Sequence, residues 1–159
     1  MKIESIPGAA KDQLDLVLSF FPRVDTKASV VLAVDTGMAG YLATRLSVST
    51  LMLSWQLLIP LVAFVLIGLS FWHLYKVAFP NLKGGNQSLV YFREIAKRTE
   101  AKFIDEFMAQ KDDAYVKDLL GQAWRNSEIL TEKFNHLQLA FLLMAAAIIP
   151  WTIAIAVIS

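Results

Sequence analysis

Three long apolar stretches, Ala28–Leu46, Leu51–Phe79 and Leu137–Ile158, are separated by segments that hold nearly all the charged residues. A chain divided in this way has part of its surface solvated by lipid, because an unbroken apolar run of about 20 residues is what a helix needs to cross a bilayer. The apolar fraction, 56%, and the mean hydropathy, +0.50, are both high for a soluble domain. At 159 residues the chain is about one domain long. A net charge of +1 gives no general attraction to nucleic acid. The absence of cysteine excludes a disulfide framework, a thiol nucleophile and thiolate metal sites. Met1–Phe21 lacks a basic region followed by an apolar core, so the first membrane helix is expected to insert as its own signal.

Lys11–Phe21 reads as a short amphipathic helix. Leu14, Val17, Leu18 and Phe21 lie on one face, Lys11, Asp12 and Asp15 lie opposite, and Pro22 is the expected stop. It packs on the other cytosolic helices or, alternatively, lies in the membrane interface. Asp25 or Thr26 is then placed to cap a first membrane helix over Lys27–Leu46. Ser29, Ala33, Gly37, Gly40 and Thr44 share one face of that helix. Small residues permit close helix approach, so this face is expected against the other two helices or a second subunit. Asp35 lies within the helix, where an acid costs about 2.5–3.5 kcal/mol. It is the membrane-helix functional candidate, with a helix-packing role as its plain alternative.

The second membrane helix spans Leu51–Phe79, with Pro60 as an expected kink and with Trp55 and Phe71, Trp72 and Tyr75 as interfacial aromatics. The third spans Leu137–Ile158, with Pro150 and Trp151 near its far end. Lys and Arg crowd the segments before the first span and after the second, whereas the first connection holds only Arg45. The positive-inside rule therefore places the N-terminus and Pro80–His136 in the cytoplasm. After the breaker cluster Pro80–Gln87, Ser88–Met108 reads as one helix. A second runs without an evident stop from Ala114 to Ile158, ~65 Å at ~1.5 Å per residue.

The expected fold class is thus an all-α membrane protein with three transmembrane helices and a cytosolic helical hairpin, the last cytosolic helix continuous with the third transmembrane helix. The divisions fall at 1–23 (amphipathic helix), 24–79 (two membrane helices), 80–136 (cytosolic hairpin) and 137–159 (third membrane helix). The continuous helix would give a signal received in the hairpin a stiff route into the bilayer.

The chemistry of catalysis is missing from the motifs. There is no HExxH, P-loop, GxSxG or dinucleotide fingerprint, and His73 and His136 read better as interfacial polar residues than as a metal pair. No enzyme, metal or cofactor is expected. A small anion is the ligand the residues favour most. Lys27 and the helix start at Asp25–Ser29 approach the cytosol–membrane layer from one side, and Lys133 from the other, while Arg93, Lys97, Arg98 and Arg125 lie along the hairpin. The plain alternative for each cation is snorkelling or contact with anionic lipid.

Asp25-Thr26-Lys27-Ala28-Ser29, Leu89-Val90-Tyr91-Phe92 with Ile95-Ala96, and Ala123–Asn126 followed by Ile129-Leu130 and Lys133-Phe134 resemble, in order, the patches of the Pycsar transmembrane effector family. The resemblance covers Phe21–Ile158. It implies antiphage defence: a cyclase makes cyclic CMP or cyclic UMP on infection, and the effector impairs the bacterial inner membrane, giving abortive infection. It implies a cyclic pyrimidine nucleotide, the lipid bilayer and further copies of the chain as partners. The ligand-binding candidates are Asp25, Lys27, Ser29, Tyr91, Arg93, Lys97, Asn126 and Lys133, with Lys27 and Lys133 as phosphate partners and Tyr91 or Phe92 to stack on the base. Two further readings stand beside it. One is a non-enzymatic membrane scaffold or complex subunit that docks through the hairpin. The other is a small transporter using Asp35, which three spans without an inverted repeat disfavour.

Overall fold

A computed structural model describes residues 6–45, 57–80 and 85–158. The described residues form six helices and no strand: α1 (Ile6–Leu18), α2 (Phe21–Arg45), α3 (Leu58–Ala78), α4 (Phe92–Ile95), α5 (Glu100–Met108) and α6 (Asp112–Ile158). The chain divides into two compact units, 1–22 with 81–131 and 23–80 with 132–159.

In the first unit, α1 buries Ala10 and Leu14 against Leu119 and Ala123 of α6, with Val90, Tyr115 and Val116 around them. This is the packing expected of the amphipathic helix. Pro22, however, does not end it. α1 stops at Leu18, and Pro22 lies in the first turn of α2. A first-turn N–H has no intrahelical acceptor, so proline is tolerated there and its fixed φ suits the helix. Asp25 and Thr26 are consequently inside α2 rather than capping it.

The single helix expected over Ser88–Met108 is two. Thr99, in extended conformation, accepts the Lys102 N–H with its side chain and so starts α5 afresh. The four-residue α4 stands apart from α5, and Arg98 spans the break. Its guanidinium donates to Glu106 (2.7 Å) and to the carbonyls of Glu94 (2.6 Å), Gln87 (2.9 Å) and Ser88 (3.3 Å). Those contacts supply what regular secondary structure would otherwise provide. Phe107 meets Phe103 and Tyr115 at centroid distances of 5.8 Å each, closing the turn from α5 to α6.

The second unit is a three-helix bundle whose buried positions recur at spacings of three, four and seven. They are Val24, Val31, Asp35, Met38 and Leu42 on α2; Pro60, Ala63, Ile67, Ser70, Leu74 and Val77 on α3; and Lys133, Leu137, Ala140, Met144, Ala147 and Ala154 on α6. This is a coiled-coil seam. Where α3 and α6 meet it is lined by alanine and serine, which lets the backbones approach closely. The Trp151 indole N–H donates to the Met38 carbonyl at 2.9 Å, tying α6 to α2.

Among the described residues two helices, Leu58–Ala78 and the apolar part of Asp112–Val157, are long and apolar enough to cross a membrane by length and composition; α2 is not a third by that measure. Its small-residue face is also not where the other helices pack. Ala33, Gly37, Gly40 and Thr44 are exposed, and a Cβ added at Gly37 or Gly40 would meet nothing within 4 Å. Pro60 stands in the first turn of α3, where it removes no helical hydrogen bond and produces no interior kink. Pro150 is inside α6. The expected start of the second span, 51–56 with Trp55, lies outside the described residues, as do Leu46, Lys2 and Lys83. α6, at 47 residues, is the one long helix expected.

Candidate functional site

The first unit holds a cleft of about 340 Å³ lined by Leu14, Leu18 and Phe21, by Val90, Tyr91 and Phe92, and by Gln122, Asn126 and Ile129 of α6. The Tyr91 segment is irregular backbone, so its geometry depends on side chains. Ser88 Oγ accepts the N–H groups of Val90 (3.0 Å) and Tyr91 (2.8 Å), and the Leu89 N–H donates to Asp118 Oδ2 at 2.8 Å. These bonds fix the segment to α6 and aim Tyr91 and Phe92, which meet edge to face at 5.0 Å. Gln122 is buried, and its amide lies 3.3 Å from Ser88 Oγ. A Cβ at Gly85 would stand 3.2 Å from the Gln122 amide nitrogen, so a side chain there would require that amide to shift by a few tenths of an ångström. Asn126 donates to the Gln122 carbonyl at 2.8 Å.

Aromatic faces beside two carboxamides form an environment suited to a flat heterocycle. The rings accept any π-face, and the amides offer both a donor and an acceptor for its edge. The Arg93 guanidinium lies 5.9 Å from the ring of Phe92, one of the cleft residues. Lys97 is engaged with Glu94, and that ammonium, with the Gln87 N–H, holds the Glu94 carboxyl below the usual carboxylate range. Arg98 does the same to Glu106. Of the residues expected at a ligand, Tyr91 and Asn126 therefore share one cleft, and Arg93 lies against the ring of its Phe92. Lys97 is committed elsewhere.

The depressed Glu94 and Glu106 carboxyls give the unit a pH dependence of definite sign. Their folded forms hold protons less tightly than the unfolded chain, so the stability they supply is complete above the ordinary glutamate value of 4.5. It is lost as pH falls below that value. Melting followed by circular dichroism is expected to show a midpoint that declines below about pH 4.5, and Glu94→Gln to flatten that decline. An unchanged acid limb in Glu94→Gln would remove this carboxyl from the account.

The remaining candidates lie in the second unit. Lys133 Nζ stands 2.6 Å from Asp25 Oδ1, with the lysine side chain 6% exposed and the aspartate 54%. Both line a cavity of about 320 Å³ with Ala28, Ser29, Leu32, Leu74, Val77 and Ala78. Ser29 Oγ donates to the Asp25 carbonyl at 2.9 Å. Lys27 is on another face of α2. Its ammonium lies 5.7 Å from the Phe134 ring, in a separate groove of about 450 Å³ lined by Val30, Val31, Leu137 and Phe141. Lys27 and Lys133 thus do not converge on one cavity. Nor is Asp25–Ser29 a helix start that could hold an anion. α2 begins at Phe21, so the N–H groups from residue 25 onward fall within reach of intrahelical carbonyls.

Asp35 is fully buried and meets Ser70 Oγ at 2.5 Å. His73 and His136 bring their Nδ1 atoms to 2.9 Å, so one ring must donate and the other accept. Among the described residues no group of three or more His, Asp or Glu could hold a metal ion.

Sequence reasoning does not single out Gln122, Ser88 or Asp118. A polar residue between Leu119 and Asn126 in an otherwise apolar register is the available signal for Gln122; nothing local marks the other two.

The family model for the Pycsar effector protein domain matches residues 9–159. The chain belongs to the Pycsar effector family. Neither the curated proteins nor the solved structures compared with it give a match. Membership makes this an antiphage defence effector, and with the two apolar helices it points to a membrane protein. The matched residues run through both units.

Proposed function

We propose that this Pycsar effector senses a cyclic pyrimidine mononucleotide, cyclic CMP or cyclic UMP, in the cleft of Tyr91, Phe92, Gln122 and Asn126, and responds by impairing the bacterial inner membrane. The family match carries the defence role. The cleft carries the sensing role, because aromatic faces and two amide groups line one cavity of nucleoside size there. Arg93 would meet the phosphate. The reaction is one of binding, not catalysis.

In this reading the N-terminus and the first unit are cytoplasmic and α2, α3 and α6 all span. α2 has 25 residues, ~37 Å at ~1.5 Å per residue, enough to cross the apolar core. It buries Asp35 inside the bundle and turns Val30, Leu32 and Val34 outward. Leu61, Val65, Leu69 and Trp72 on α3, and Phe141, Leu142, Ile149 and Ile153 on α6, are likewise exposed and would face lipid. The open Ala33–Gly37–Gly40 face supports assembly with further copies, since small residues let lipid-immersed helices touch. A nucleotide drives such a change only by binding the assembled or open form more tightly than the resting one.

The test is thermal melting of the detergent-purified protein with cyclic CMP, cyclic UMP, cyclic AMP and cyclic GMP. At a hundredfold excess over Kd a bound ligand adds about 2.7 kcal/mol, a rise of ~5–10 °C for a chain of this size. One cyclic pyrimidine nucleotide should give it and the purines should not, and Tyr91→Ala and Asn126→Ala should each abolish it. A shift that survives both substitutions moves the site to the second unit. No shift with any of the four nucleotides in folded protein favours the scaffold reading.

A further inference from the structure

The second unit contains a polar seam that nucleotide sensing does not use. Along α6, Lys133 pairs with Asp25, His136 meets His73 one turn on, and the carbonyl of Ala140 lies 3.0 Å from Ser70 Oγ one turn further. Ser70 Oγ also lies 2.5 Å from Asp35 Oδ2. Asp35, Ser70 and Ala140 are all fully buried, and they belong to three different helices. Beyond them the seam turns apolar, with Met38, Ile67 and Ala147, then Leu42, Ala63 and Ala154.

The hydrogen bonds at Ser70 carry information about protons. A serine hydroxyl has one proton to give, and here it faces two acceptors if Asp35 is a carboxylate. A carboxylic acid resolves this: Asp35 donates to Ser70 Oγ, and Ser70 donates onward to the Ala140 carbonyl. The other carboxyl oxygen, Asp35 Oδ1, is buried without a partner. An orphan oxygen on a buried carboxylate is far costlier than one on a neutral acid. The charged and titratable groups around Asp35 do not supply a counter-ion. On α3 the nearest in register is His73, and on α6 it is His136, and these two engage each other. Lys133 engages Asp25, the next acid back along α2.

We propose that Asp35 is a proton-binding site of the three-helix unit: the unit closes around Asp35 as a neutral carboxylic acid, and its helices separate as that proton leaves. The O–H bond of the acid breaks, the electron pair stays on the carboxylate, and the proton passes to water. A bare carboxylate then remains in a dry seam with one hydroxyl to meet it, and water entering between the helices is what relieves it. This deepens the membrane-impairing reading, on which its leak assay rests, by naming the ligand that holds the resting state. Its first two tests are independent of any nucleotide.

The first test is infrared spectroscopy of the detergent-purified protein at neutral pH, with isotope-labelled aspartate. The wild type should show a label-sensitive carboxylic-acid C=O band that Asp35→Asn lacks. Asparagine keeps the size and a donor for Ser70, so it stands in for the protonated acid. If that variant fails to fold, Ser70→Ala serves: the band should persist and shift, its acceptor gone. Secondly, the wild-type melting midpoint should fall as pH rises above neutral, and that of Asp35→Asn should not. Thirdly, in phosphatidylethanolamine–phosphatidylglycerol vesicles, dye leak evoked by cyclic CMP or cyclic UMP should be about tenfold lower in Asp35→Asn. A wild type with no label-sensitive acid band, or an Asp35→Asn variant whose melting follows the wild-type pH profile, overturns the proposal. Loss of the leak alone in both proteins would instead count against the nucleotide trigger.

Discussion

Leucine in place of Ala147 will lower the melting midpoint of the detergent-solubilised protein, and the same change at Ala145 or Ala146 will leave it where it is. Three consecutive alanines in α6 make an internally controlled series, because each substitution adds the same apolar volume to the same helix. Only the surroundings differ. Ala147 is fully buried against Met38 and Ile67, whereas Ala145 and Ala146 are exposed. Extra carbons in a close-packed contact force side chains off their rotamers and push backbones apart, at about 1–3 kcal/mol. For a chain of this size that is a fall of ~2–12 °C. The effect is severe because lipid supplies no hydrophobic penalty for separated helices, so close contact is what holds them together. If Ala145→Leu or Ala146→Leu were the damaging change and Ala147→Leu the silent one, the register of α6 in the bundle would be wrong.

That register is partly legible in the amino-acid pattern. The run from Val116 through Leu119, Leu120, Ala123 and Leu130 into Leu137 keeps a helical period across Gly121 and without Pro, and α6 is continuous as that pattern requires. Asp35 stands out as an acid in an apolar stretch, and it is indeed the buried polar residue of α2. Sequence and fold part where one residue type supports two local outcomes. Proline ends one helix as readily as it begins the next, and the sequence Ser19–Pro22 permits both readings. The apolar spacing of Phe92, Ile95, Phe103 and Phe107 runs across a break that only the capping geometry of Thr99 reveals. The small-residue stripe of α2 marks a contact-ready face but not which neighbour uses it. Pairings that span the chain are beyond reach: Asp25 with Lys133, Asp35 with Ser70 and Leu89 with Asp118 are set by tertiary packing, for which no local pattern exists. The same limit explains Lys27 and Lys133. Sequence places both near one layer, but helical rotation turns them toward different cavities.

The break between α4 and α5 leads to the second large effect. Arg98→Ala will destabilise the first unit by about 2–4 kcal/mol and, on the proposed function, will weaken binding at the nucleotide cleft without Arg98 lining it. Its side chain is 12% exposed and makes four hydrogen bonds, three of them to carbonyls in Gln87–Glu94. Gln87 has a positive φ, 63°, so this stretch already departs from ordinary backbone for a residue with a side chain. Removing the guanidinium leaves those carbonyls to be satisfied by water, which must enter behind Tyr91. The partner carboxylate Glu106 is part exposed and can turn to solvent, which keeps the loss below that of a buried ion pair. Arg98→Lys should recover little of it, since one ammonium on a flexible stem cannot replace a planar fork of five donors. Limited proteolysis is the direct readout, with cleavage expected to appear between Gly85 and Thr99 in both variants while α6 stays protected. Cleavage that stays at the wild-type level in Arg98→Ala would mean that Ser88 and Asp118 alone hold the segment, and the cleft would then survive without the arginine.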